Sequence, residues 1–173
     1  MRFIACAVTF LLVVVASGCT ASYQQKTVIL PSTKLARGHS VVIATPANGF
    51  YESEEYEASG KMTAAATKAA FARFTSIARV SPDCADYACL KSAGGYDYGY
   101  AIIPEILNWE ERATEWSGLP DKIEIKISVY DWKTDKELAS TVVSGKSKWA
   151  TFGGDHPQDL LDDPLNQYVE TLY

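Results

Sequence analysis

The chain predicts an α+β fold: a mixed or antiparallel sheet with helices packed on one face, in the order β-α-β-α-β-β-β-α. Three patterns in its 173 residues carry that expectation. Residues 122–130 alternate, with Ile123, Ile125, Ile127 and Val129 on one face and Glu124, Lys126 and Ser128 on the other, as a half-buried strand requires. Leu165, Tyr168, Val169 and Leu172 recur at i, i+3, i+4, i+7, the stripe of an amphipathic helix. Short β-branched runs alternate with helical segments in the first half, whereas strands follow one another in the second.

Taken in order, residues 20–38 are polar and mixed and read as a flexible tether. Residues 40–45 (SVVIAT) form a short buried strand between Gly38 and Pro46. A loop over 47–58 carries four glutamates and three aromatics. Ser59 is placed to cap an alanine-rich helix running to about Thr75, with Met62, Ala66, Ala69, Ala70 and Arg73 on one face and Phe71 and Phe74 three apart. Residues 77–80 give a second short strand. Pro82 opens a turn, and a short helix over 85–92 stops at Gly94-Gly95. Residues 98–109 form a long strand in which Pro104, lacking an N–H, marks an edge or a bulge. Residues 131–136 turn the chain into a partner strand over 137–149, and Asp163-Pro164 opens the last helix.

The N-terminus reads as a secretory signal over residues 1–18, followed by the tether at 19–38 and one domain at 39–173. Arg2 supplies the positive start, 3–16 the apolar core and Ser17-Gly18 the small-residue site. That core is short of the roughly 20 residues a membrane-spanning helix needs. Ala16-Ser17-Gly18-Cys19 resembles a bacterial lipobox, whose cysteine thiol takes a diacylglyceryl group and becomes the new N-terminus. The resemblance implies anchoring to a lipid bilayer through acyl chains at Cys19. Thr20, where Asp would favour the inner membrane, implies outer-membrane sorting and a periplasm-facing domain. An uncleaved N-terminal anchor is one alternative, and cleavage without lipid is another, because Ala16 stands where leucine is most common.

A net charge of −5 and the lack of a basic stripe argue against nucleic-acid binding. Cys6 leaves with the signal and Cys19 is the acyl acceptor, so Cys84 and Cys89 remain. In an oxidising compartment the pair reads first as a disulfide, with Cys84 in the turn before the short helix; free thiols and a metal site are the alternatives. No cofactor motif is complete. Gly60-Lys61 and Gly145-Lys146-Ser147 lack the glycine five places upstream that a phosphate loop needs. No Gly-x-Ser-x-Gly elbow is present. Glu110 and Glu111 are adjacent and so point to opposite strand faces, leaving Glu105 or Glu115 as carboxylates that could pair across space. Asp155 and His156, with Asp159, Asp162 and Asp163, could hold a cation, although such a run is more commonly a solvated loop with helix-capping acids.

Two stretches, NWEERATEWSGLP (108–120) and SGKSKWATFGGDH (144–156), mix tryptophan with charged and small residues. Either Trp109, Trp116 and Trp149 fill the core, or they are anchors of a recognition surface rimmed by Glu110, Arg112 and Lys148, with Asp155 and His156 beside a Gly153-Gly154 loop. These stretches, with the lipobox, SGKMTAAATKAAFARF and the last helix, resemble an uncharacterised family of short proteobacterial lipoproteins grouped as a domain of unknown function. In element order the domain is also similar to the periplasmic domains of curli-secretion and penicillin-binding-protein-activating lipoproteins and to the N-terminal domain of TolB. The resemblance implies a non-enzymatic outer-membrane lipoprotein that binds an envelope protein partner and brings no catalytic residues. The rival expectation is a small envelope hydrolase or metal-dependent enzyme using carboxylates with Asp155 and His156.

Overall fold

The chain joins its sheet earlier than its hydrophobic pattern indicates. The computed structural model describes residues 21–94, 96–112, 119–148 and 156–173. In chain order its elements are β1 (Ser22–Ile29), β2 (Val41–Ala44), a hairpin of β3 (Phe50–Tyr51) and β4 (Glu54–Glu55), α1 (Ser59–Ala72), β5 (Ala78–Ser81), α2 (Tyr87–Ala93), β6 (Tyr100–Glu110), β7 (Lys122–Asp131), β8 (Glu137–Lys146) and α3 (Asp162–Leu172). A 3₁₀ turn at Pro157–Leu160 precedes α3. Six strands form a mixed sheet in the order β1-β8-β7-β6-β2-β5. Neighbours are antiparallel from β1 to β6 and parallel from β6 through β2 to β5. The α+β class expected from the pattern is the class observed.

The expected tether at 19–38 is, from Ala21 onward, part of the domain. Ala21 and Tyr23 pack against the core, and β1 pairs along the outer edge of β8. Leu35 is buried, its N–H donating to the Leu172 carbonyl at 2.8 Å, and the Gly38 N–H donates to the Phe74 carbonyl at 3.0 Å. Apart from Tyr23, the residues of β1 are exposed. Backbone ladder bonds hold such a strand without a hydrophobic period, so alternation cannot reveal it.

The two long helices share one face of the sheet. Ile43, Ile102, Ile123, Ile125, Ile127 and Val143 meet Phe71 of α1 and Leu165, Val169 and Leu172 of α3 there. At about 25 cal/mol per Å² of apolar surface removed from water, this cluster is the main stabilising contribution. The stripe on α3 is the expected one. That on α1 is so in part: of the expected residues Ala70 and Phe71 are buried, and Met62, Ala66 and Phe74 pack partly buried against the core. Ala69 and Arg73 are instead exposed, and Ser59, Gly60, Thr63, Ala64 and Thr67 are buried as well. Thr63 and Thr67 donate to the carbonyls of Ser59 and Thr63, at 2.9 and 2.8 Å, so their hydroxyls enter the interface satisfied. Ser59 does not cap the helix either. Ala58 precedes it with φ 68°, while the Ser59 hydroxyl accepts from the Gly49 N–H and donates to the Tyr56 carbonyl.

The short helix α2 covers the opposite face, where Leu90 and Cys84 meet Val42, Ala44, Ala101 and Trp132. It is capped by Asp86, whose side chain accepts from the Cys89 N–H, and it stops at Gly94 with φ 62°. Cys84 and Cys89 form the expected disulfide, with Cα atoms 5.3 Å apart and Cys84 in the turn before the helix. Pro104 lies on β6 beyond Ile102, where the ladder to β2 ends. A residue without an N–H is tolerated beside that open stretch of edge, and a bulge follows between Ile106 and Asn108. Among the described residues no helix is long and apolar enough to cross a membrane.

Candidate functional site

Four strand ends meet at one end of the sheet. Glu110, last in β6, lies opposite Lys122, first in β7; Lys122 lies opposite Lys146, last in β8; and Lys146 lies opposite Ser22, first in β1. The connections over 111–121 and 147–156, which carry most of the expected site residues, therefore leave from the same end.

Asp121 ties the roots of the two connections together. It is fully buried, and a carboxylate oxygen accepts from the Arg112 backbone N–H. Its own N–H donates to the Ser147 hydroxyl and its carbonyl accepts from the Ser147 N–H, both at 2.9 Å. Burying a carboxylate is costly without such a donor, and the two Ser147 bonds satisfy the backbone groups of the same residue.

Beside it, Glu110 is 8% exposed and lies 3.0 Å from Arg112 Nε and 3.3 Å from Lys122 Nζ, with Asn108 Nδ2 donating to it at 3.0 Å. Burial pushes its carboxyl up. The hydrogen bonds from Asn108 and Lys122 and the Arg112 charge outweigh that effect and hold it below the ordinary carboxylate range. The Arg112 guanidinium lies 4.6 Å from the centre of the Tyr51 ring and donates to the Tyr51 hydroxyl. Tyr56 reaches the Glu111 carbonyl, and its hydroxyl is pushed up first by burial and then by the Glu54 charge. Glu111 Oε1 stands 3.1 Å from His156 Nδ1. The His156 N–H donates to Asp159 Oδ2 at 3.0 Å, which closes the 3₁₀ turn that seats Leu160 and Leu161 in the core.

The structure brings Glu110, Arg112 and His156 to this end and sets Lys148 two residues beyond β8. Trp109 is corrected from candidate anchor to core: it is 1% exposed, and a Cβ on Gly49 would stand 2.5 Å from its own Cβ. The alternation of β6, reset by the bulge, turns it under Gly49, just ahead of β3. Cys19, Trp116, Trp149 and Asp155 lie outside the described residues. Asp121, Ser147 and Tyr51 were missed by sequence reasoning. Asp121 follows Pro120 at the start of an alternating run, which signals a turn but not a buried carboxylate.

The carboxylates here are engaged by cations or backbone donors, an arrangement that fixes loop roots. Glu105, considered for a hydrolytic pair, is exposed and 3.5 Å from Lys126 Nζ. Among the described residues no three His, Cys, Asp or Glu side chains are grouped to hold a metal ion. A shallow cleft of about 220 Å³ opens on the polar sheet face beside this end, between Ser22, Gln24, Asn108, Lys122, Glu124 and Ser144.

No curated protein matches the chain in sequence. In three dimensions it is similar to PelC from Paraburkholderia phytofirmans, solved as a dodecamer, with a TM-score of 0.64 and 12% identity over 88% of this chain and 96% of that one. A single-residue variant of PelC, also a dodecamer, gives 0.60 and 11% over the same shares. The lipoprotein GNA1162 from Neisseria meningitidis is more loosely similar, at a TM-score of 0.39 and 14% identity over 77% of this chain and 94% of that one. At these identities the likeness is one of fold. Residues 33–172 match the family model of DUF4823, a domain of unknown function, and the chain belongs to that family.

Proposed function

We propose that the chain is a lipid-anchored module of the bacterial envelope that acts by binding protein, without catalysis, and that its first partner is another copy of itself. The observation that carries this reading is the likeness to PelC, which covers 88% of the chain and belongs to a protein solved as a dodecamer. The lipobox ending at Cys19 supports the anchor, and Thr20 supports the periplasmic face of the outer membrane. The Cys84–Cys89 disulfide suits an oxidising compartment. The buried Asp121 and the paired Glu110 support a binding end in preference to a reactive one, since their charge is already engaged.

The test is chemical crosslinking of the full-length protein in intact cells, with adducts sized and identified by mass spectrometry. A ladder of multiples of the chain is expected. Adducts only to a different envelope protein would remove self-assembly and name the partner, and an uncrosslinked monomer would remove the binding reading. In parallel, Cys19→Ser should abolish labelling by an alkyne fatty acid; labelling retained in that variant would rule out anchoring at Cys19.

A further inference from the structure

The lipid attachment and the domain are separated by almost no chain. Ala21 already packs against the core and β1 begins at Ser22, so only Cys19 and Thr20 lie between the acyl chains and the folded body. Two extended residues reach about 7 Å. By register, the start of β1 stands level with the ends of β8 and β6 and the start of β7. The opposite end of the sheet, at the turn between β7 and β8, is a full strand away. Across the ten residues of β7 that is about 30 Å, far beyond the reach of the N-terminal span.

We propose that this short span fixes the orientation of the domain on the membrane. The sheet end bearing Ser22, Arg112, Lys122, Lys146 and Lys148 lies against the lipid headgroups, and the β7–β8 turn points away. The inference rests on the lipid-anchored reading of Cys19. The occupant of this surface is a phospholipid headgroup layer. Lys146 is exposed at this end, across the ladder from a Lys122 whose ammonium is already paired with Glu110, so Lys146 is the cation placed to meet lipid phosphates. Leu119, 51% exposed, adds an apolar contact at the same end. Glu54 and Glu55 are exposed on the hairpin that packs beside it, so net charge does not draw this end to an anionic surface. The covalent span does.

The experiment uses the full-length acylated protein in vesicles of phosphatidylethanolamine and phosphatidylglycerol containing a headgroup-quencher lipid. A fluorophore is attached at Lys148→Cys, at the anchored end, or at Thr134→Cys, in the β7–β8 turn. Quenching several-fold stronger at position 148 is expected, and it should persist when phosphatidylglycerol is omitted. Equal quenching, or stronger quenching at 134, overturns the orientation.

A second variant carries a flexible Gly-Ser insertion of about 20 residues between Thr20 and Ala21, with a root-mean-square span of about 25 Å. It should still float with vesicles and lose the difference between the two labels. If the difference survives, the span is not what orients the domain. Should the uninserted protein fail to float at all, the anchored reading itself is lost, an outcome distinct from equal quenching of bound protein.

Discussion

Trp109 and Glu110 are neighbours in sequence with opposite environments. Trp109 fills the core beneath Gly49, where no larger residue fits without displacing the indole. Trp109→Ala should therefore cost about 3–5 kcal/mol in a denaturant melt; a loss below about 1 kcal/mol would place the indole at the surface after all. Glu110 is ionised and engaged by Asn108, Arg112 and Lys122. Because its folded pKa lies below the unfolded value of about 4.3, its contribution is complete above that pH and is lost as pH falls through the folded value. Glu110→Gln should cost about 1.5–3 kcal/mol at neutral pH, the range for hydrogen bonds to a charged group. The gap between wild type and variant should close in acid. Melts at pH 7 and pH 3 measure it, and a gap that stays constant would assign the loss to packing instead of charge. The composition of 108–120 marked this region. It could not say that Asp121 is buried, because the N–H and hydroxyl groups that make its burial possible come from residues 9 and 26 positions away in the chain.

At the scale of elements, the clearest signals came from segments that fold against one face. The period of β7 and the stripe of α3 each report a single buried side, and both stand where expected. The face of α1 was read only in part because threonine counts as polar in the pattern, yet Thr63 and Thr67 are buried here with their hydroxyls bonded one turn back. The turn joining Cys84 to α2 is closed by a disulfide over a sequence separation of five. So short a loop contributes about 2 kcal/mol on the chain-entropy estimate. Cys89→Ser should lower stability by about that amount and speed amide exchange in α2 more than in β7. Equal acceleration in both elements would show that the crosslink supports the whole domain and not this corner. Cys89 is the better position for the test, since Cys84 is 3% exposed in the apolar cluster and its replacement would also disturb packing.

For the whole molecule, the proposed anchoring at one end would constrain any assembly. Copies held by Cys19 on one leaflet can share a rotation axis only along the membrane normal, because a two-fold axis in the membrane plane would lift half of the anchors away from the bilayer. The self-association proposed above is thus expected to be cyclic, and head-to-tail in any ring of more than two copies. Electron microscopy of the detergent-extracted full-length protein, with the N-terminal acyl chains tagged, should show the tag on one face of a ring. A particle tagged on both faces would require a dihedral arrangement and contradict the shared anchoring plane.

From sequence alone came the α+β class, the pairing of Cys84 with Cys89 and the inward faces of β7 and α3. Each depends on residues close together along the chain, where periodicity, spacing and local turn chemistry act directly. Tertiary structure alone decided that residues 22–29 are an edge strand, that Trp109 is core, and that Asp121 and Ser147 join two connections at one end of the sheet. Those outcomes depend on partners far away in the chain: Lys146 for Ser22, and the loop at Gly49, which closes over β6, for Trp109. Backbone pairing and close packing between distant segments leave no periodic trace in either partner, so only the folded chain brings them together.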